Sequence, residues 1–265
     1  MNGRRRIFLV VICAAGLAGA LPVLAEDFDL VIAHGRVIDP ESGLDAVQHV
    51  GIRGGVVRAV SPAPLTGRET IDATGLVVAP GFIDLHWHGV KPESHRYQAM
   101  DGVTASFELE VGVDDVDRWY DARAGREPIH YGVAVGHIPV RMAVKFDRGE
   151  FLPSGPGAKA PVSADELAEI ARRIEHGLQR GAVAVGLGIV YTPAAQSWEL
   201  LEVFRLAAKY GTFTHVHVRG ASSAAGAGAD REAGILEVIA LSAATGAPVP
   251  VAHIPSSGQG STGRM

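Results

Sequence analysis

Apolar residues follow two regimes along this chain. Up to about residue 77 they come as short runs broken by turn formers. Leu30-Val31-Ile32 leads to His34-Gly35, Val37-Ile38 reaches Asp39-Pro40, and Val50 and Ile52 precede Gly54-Gly55. Val56-Val57 and Ala59-Val60 follow, and Ile71-Asp72-Ala73-Thr74-Gly75 closes the stretch. Short runs between such turns predict strands, so residues 26–77 read as a small β-rich subdomain.

From Val78 onward strand-like runs alternate with helical ones. Strands are predicted over Gly102–Phe107, Tyr131–Val135, Ala182–Val190, Thr212–Val218 and Pro248–Ile254. Helices are predicted over Val116–Ala124, Ser197–Tyr210 and Ile235–Thr245. The clearest helix follows Ser163: that residue caps it, Glu166 completes a capping box, and Leu167, Ile170, Ile174 and Leu178 form one apolar stripe ending at Gly181. Residues 148–162 read as a loop placed to act as an active-site flap. Residues 220–230, rich in Ala, Gly and Ser, read as a second loop. This alternation predicts an α/β protein with a mainly parallel sheet, and periodicity leaves open whether that sheet is open or closed.

The first 25 residues stand apart. Arg4-Arg5-Arg6 precede an apolar run from Ile7 to Leu21, with Val23-Leu24-Ala25 at the end, which predicts a signal peptide and a secreted or periplasmic mature chain. A retained membrane anchor is the alternative. No other stretch is long and apolar enough to span a bilayer. The only cysteine, Cys13, lies inside the leader, so the mature chain forms no disulfide although export would permit one. Losing the leader's three arginines takes the net charge from −5 to −8, and no basic patch argues for nucleic acid.

Three polar patterns carry candidate chemistry. In Val78-Ala-Pro-Gly-Phe-Ile-Asp-Leu-His-Trp-His-Gly89, two histidines flank Trp87; on a strand His86 and His88 share a face and can clamp a metal ion, or sit in an ordinary buried strand. Glu108 and Glu110 likewise share a face, as oxygen ligands or as a solvated or ion-paired edge. His215, His217 and Arg219 also alternate, and three polar side chains on one face need a polar destination.

Pro80 to His88 resembles the strand-one metal motif of the amidohydrolase superfamily, and later segments resemble its D-aminoacylase branch. The resemblance implies a small β-sandwich-like subdomain over residues 26–77 beside an incomplete TIM-like barrel over residues 78–265, with about six of eight strands. It implies His86, His88, His217 and His253 as metal ligands around one or two zinc ions, with a bridging residue between them. The branch places a cysteine after a Gly-Val-Thr-Thr strand; Gly102-Val-Thr-Ala105 matches that strand, no cysteine follows, and Glu110 rather than Glu108 is the preferred replacement. His215 and His137 (in Gly136-His137 with Arg141) are expected as further ligands or supporting neighbours. Gly181 to Pro193 resembles the branch's Gly-Leu-Ser-Ser-Gly-Leu-x-Tyr-x-Pro segment, with Gly186 and Gly188 inside it and the serines replaced. Tyr191, Arg219, Ser256 and Ser257 are the implied substrate contacts, Arg219 as a clamp for a substrate carboxylate. The implied reaction is hydrolysis of a small-molecule amide such as an N-acyl-D-amino acid. Another cyclic-amide or dipeptide hydrolase, or an exported binding domain without activity, are the alternatives. The superfamily's catalytic aspartate follows the eighth strand, beyond the match, so the expectation is an amino-terminal fragment that is inactive alone.

Overall fold

The computed structural model describes residues 28–89, 93–220 and 227–254, excluding the side chains of 227–231. The leader with Cys13, and the loop residues Ser256 and Ser257, lie outside the described residues. Two compact units divide between Pro80 and Gly81.

The first unit is a small mixed sheet. β1 (Phe28–Asp39) pairs antiparallel with β2 (Leu44–Arg53), and β2 pairs antiparallel with β3 (Val56–Ser61). β4 (Gly67–Asp72) and the short β5 (Val77–Val78) run parallel to β1. Phe28, Val31 and Ala33 form its buried cluster. The glycines of the Gly54-Gly55 turn both take positive φ, which a side chain would resist.

The second unit is a curled parallel sheet, a half-barrel. Its strands are β6 (Phe82–Asp84), β7 (Val103–Val113), β8 (His130–Gly136), β9 (Val185–Gly188) and β10 (Thr214–His217), hydrogen-bonded in sequence order and all parallel. Its helices are α1 (Glu93–Met100), α2 (Val116–Asp121), α3 (His137–Val144), the single turn α4 (Pro156–Lys159), α5 (Ala164–Gln179), α6 (Ser197–Lys209) and α7 (Ala227–Thr245). Strand–helix alternation with parallel pairing is what right-handed crossovers generate.

The capping box at Ser163 and Glu166 is present on α5, and Gly181 follows with φ +101°. Ile170 and Ile174 are fully buried beside Val133, Val135, Val185 and Phe204, the core between helices and sheet. Each such aliphatic burial contributes roughly 1.5–3 kcal/mol. Among the described residues no helix is long and apolar enough to cross a membrane.

Several boundaries differ from the sequence reading. The apolar run from Val78 is not one strand: Pro80, which lacks an N–H, separates β5 of the first unit from β6, and β6 stops at Asp84, whose carboxylate accepts from His86 N–H. The 182–190 strand contracts to β9, followed by a 3₁₀ turn at Ile189–Tyr191. Residues 248–254 contribute one parallel bridge, Val251 to Val216, instead of a strand; the two prolines of Pro248-Val-Pro250 limit the donors. Residues 227–230 open α7 instead of extending the loop, as their alanines favour. α1 has no counterpart in the sequence reading, since Glu93–Met100 carries no apolar stripe.

Candidate metal centre

The centre assembles at the carboxyl ends of the parallel strands, around Glu110. β7 departs from simple pairing there: Glu108 pairs with Val133, but the next register point on β8 is Val113 with Val135. The extra residues bulge, which bulged strands do where a side chain has to be re-aimed. Gly112 takes φ +65°, and a side chain on it would meet Ala134 O at 2.6 Å. Glu108 closes the bulge with its own carboxylate. Its Oε1 accepts from the Val111 and Gly112 N–H groups at 3.1 and 3.3 Å, and its Oε2 lies 2.7 Å from His88 Nδ1.

Two residues on, Glu110 is 1% exposed and meets four imidazoles. Its Oε1 lies 2.8 Å from His217 Nδ1. Its Oε2 lies 3.0 Å from His253 Nε2, 3.1 Å from His86 Nε2 and 3.9 Å from His88 Nε2. Two ligand sets result, His86–His88–Glu110 and Glu110–His217–His253, and Glu110 belongs to both. His86 and His88 therefore converge although neither lies on a strand; both follow the end of β6. His253 reaches in from a backbone at φ +60°, uncommon for a residue with a Cβ.

The donor chemistry fits a metal ion. Zinc takes imidazole nitrogen and carboxylate oxygen at about 2.0–2.2 Å, which on a tetrahedron separates ligand atoms by roughly 3.3 Å, near the spacings here. His86 Nε2 is buried without an aligned hydrogen bond, although Glu110 Oε2 is 3.1 Å away. Four imidazoles cannot all donate to one carboxylate in favourable directions; cations in their midst would satisfy lone pairs that are otherwise left facing one another. Burial works against ionisation of Glu110, but the hydrogen bond from His217 and the closeness of the His86 ring hold its carboxyl well below the ordinary range.

The remaining candidates divide. His215 Nε2 lies 3.2 Å from His86 Nδ1, and burial, aided by the charge of His86, pushes its pKa down to about 4, so it is neutral and orients a ligand ring. Tyr191 stands edge-on to His217, with ring centroids 5.2 Å apart; burial and the nearby Glu110 charge raise its phenol. His137 is not brought to the centre. It opens α3, fully buried, with Nε2 2.8 Å from Glu199 Oε1, and the buried Arg141 donates to the same oxygen at 2.7 Å. A helix start turned toward α6 explains the difference. Arg219 is likewise no free clamp: it donates to Glu237 at 2.8 Å, to Pro193 O at 2.9 Å and to Ala195 O. All three guanidinium nitrogens are engaged within the fold.

Sequence reasoning passed over Asp147, Phe151 and Glu199. Asp147 carries a readable signal for one of its four bonds, an aspartate two residues ahead of Gly149 as in an Asx turn; those to Ser154, Gly155 and Gly157 span seven to ten residues. Phe151 and Glu199 had none, because their partners are distant in sequence.

A half-barrel of parallel strands with histidine and carboxylate ligands at its carboxyl edge defines a metal-site protein of the amidohydrolase type. The chain has the amidohydrolase-superfamily fold and is similar along most of its length to proteins of the D-aminoacylase/N-acyl-D-glutamate deacylase branch. Residues 69–132 match the amidohydrolase family model. The N-acyl-D-glutamate deacylase of Alcaligenes xylosoxydans xylosoxydans is 29% identical over 264 residues, covering 87% of this chain and 50% of that protein. The dihydroorotase of Streptococcus pneumoniae is 46% identical, but over 79 residues, 29% of this chain and 19% of its own. The crystal structure of the N-acyl-D-glutamate deacylase of Bordetella bronchiseptica, complexed with zinc and a phosphonate inhibitor, superposes with a TM-score of 0.70 at 26% identity, covering 84% of this chain and 51% of that one. The chain thus spans about half the length of the relatives that it matches along most of its own.

Proposed function

We propose that this chain carries the metal centre of a zinc-dependent hydrolase acting on the amide bond of N-acyl-D-amino acids. The observation that carries the reading is the convergence of His86, His88, His217 and His253 on the two oxygens of Glu110. His86, His88 and Glu110 would hold one ion, and Glu110, His217 and His253 a second. When bound, zinc acidifies a coordinated water and polarises a carbonyl.

The chain's own groups supply position and charge. Glu108 fixes the tautomer and orientation of His88, and His215 does the same for His86. Tyr191, whose phenol stays protonated at neutral pH, is a hydrogen-bond donor for the substrate's acyl oxygen. A leader over residues 1–25 would deliver the enzyme to the periplasm or outside the cell.

Similarity at 29% identity over 87% of this chain to an N-acyl-D-glutamate deacylase supports the deacylase reading; a dihydroorotase is similar over the same share at 26%, and a substrate panel separates the two. The test is zinc content and hydrolysis of a panel of N-acyl-D- and N-acyl-L-amino acids and cyclic amides. It would use residues 26–265 alone and residues 26 onward of a form extended by any downstream coding sequence. Bound zinc in both, with D-selective turnover in the extended form, supports the reading. No zinc in either would overturn it, and turnover confined to cyclic amides would move the substrate class.

A further inference from the structure

Phe151 stands edge-on to the candidate ligand His88, with ring centroids 5.8 Å apart, and its side chain remains 44% exposed. A phenyl ring left partly in water keeps apolar area available to cover a ligand, provided that the backbone holds it in place. The next residue does part of this: Leu152 packs with Tyr191 on Val111, Ile138 and Met142.

The segment around it is fixed at both ends. The Asp147 carboxylate accepts from the N–H groups of Gly149, Ser154, Gly155 and Gly157 at 2.9, 3.1, 2.8 and 2.8 Å. Arg141, itself fully buried, donates to Gly157 O at 2.7 Å and to Ala160 O. Ala194 N–H, just past Tyr191, donates to Ala158 O at 3.1 Å. Phe151 beside His88 and Tyr191 beside His217 therefore flank the ligands as two aromatic walls on one bonded framework. Tyr191 brings a hydroxyl to its side; Phe151 brings only hydrocarbon.

We propose that Phe151 is a specificity-determining residue, an apolar wall that selects ligands with an aliphatic or aromatic substituent on the His88 side of the centre. This rests on the metal-centre reading above. Phe151 borders the candidate ligand His88 directly, so whichever substituent of the scissile amide lies on the His88 side of the centre comes within its reach. Apolar area covered there adds to affinity in proportion to its extent.

The test reads binding rather than turnover. The 26–265 chain is loaded with cobalt(II), and its visible absorption is titrated with acetohydroxamate and octanohydroxamate, in the wild type and in Phe151→Ala and Phe151→Leu. Octanohydroxamate should bind wild type about 10-fold more tightly than acetohydroxamate, a gain that Leu largely keeps and Ala cuts to less than about 3-fold. Acetohydroxamate affinity and cobalt content should be alike in all three. Equal affinities of the two probes for wild type, or an undiminished chain-length gain in Phe151→Ala, would overturn the proposal. Failure of every form to bind cobalt would overturn it together with the metal-centre reading, and acetohydroxamate binding tells the two failures apart.

Discussion

One carboxylate oxygen of Glu110 lies 2.8 Å from His217 Nδ1, across 107 residues of sequence. The other serves His86 and His253, so one side chain joins both ligand sets, while Glu108, two residues earlier, reaches His88 and the backbone alone among the described residues. The two glutamates should therefore differ as variants. Glu110→Gln should weaken zinc binding by more than about 100-fold, and Glu108→Gln, which disturbs only the orientation of a ligand, by about 10-fold. Metal content after dialysis against a graded chelator measures both, and equal losses would contradict the division of roles.

Asp147 carries a pH dependence. Burial opposes its ionisation, but four backbone N–H groups outweigh that and hold its pKa at about 2. Its folded value thus lies below that of the unfolded chain, about 3.9. The stabilisation is complete above the unfolded value and is lost as pH falls through about 2. Asp147→Asn replaces one acceptor oxygen by an NH₂ group that faces N–H groups. The stability difference between wild type and this variant, from urea unfolding, should be constant above about pH 5 and shrink below about pH 4. A difference that stays level down to pH 3 would exclude the assignment.

Arg141, His137 and Glu199 form a buried charged cluster in which one oxygen of Glu199 serves both partners. Glu199→Ala would leave a guanidinium buried without its counter-ion, a loss of roughly 3–5 kcal/mol. The double variant Arg141→Met with Glu199→Leu removes both charges and should be less damaging than Glu199→Ala alone, even though Gly157 O and Ala160 O lose their donor. Thermal unfolding of the three proteins decides this. If the double variant is the least stable, Arg141 acts mainly by holding the 157–160 backbone.

What could be read from the sequence was whatever lies within a few residues of its partner. The cap at Ser163, the stripe from Leu167 to Leu178 and the pairs His86/His88 and His215/His217 are local patterns, and each has a place in the folded chain. The choice between Glu108 and Glu110 was not local. It depends on the bulge of β7 between Glu108 and Val113, which re-aims the side chains of that stretch. Arg219 and His137 were misplaced for the same reason: their partners Glu237, Pro193 and Glu199 carry no mark of the pairing. Alternation is enough to predict the parallel sheet, but prolines, which lack a donor, and a 3₁₀ turn after Gly188 set the strand ends.

Gly186 and Gly188 both lie on β9, yet a side chain would meet different things at each. At Gly186 a Cβ would stand 2.5 Å from Leu109 O and 2.6 Å from Glu110 O, backbone atoms of the strand that carries the shared carboxylate. At Gly188 it would meet side-chain atoms instead of backbone, Ile138 Cδ1 at 2.6 Å and Tyr191 Cδ2 at 2.7 Å. Gly186→Ala should therefore cost stability at the upper part of the roughly 1–3 kcal/mol expected for overpacking, and should lose zinc as Glu110 is displaced. Gly188→Ala should sit near the lower part and keep its zinc, with the change confined to the Tyr191 wall. Urea unfolding and metal content of the two variants check both halves. Zinc retained in Gly186→Ala would mean that the bulge of β7, and not the closeness of β9, sets the position of Glu110.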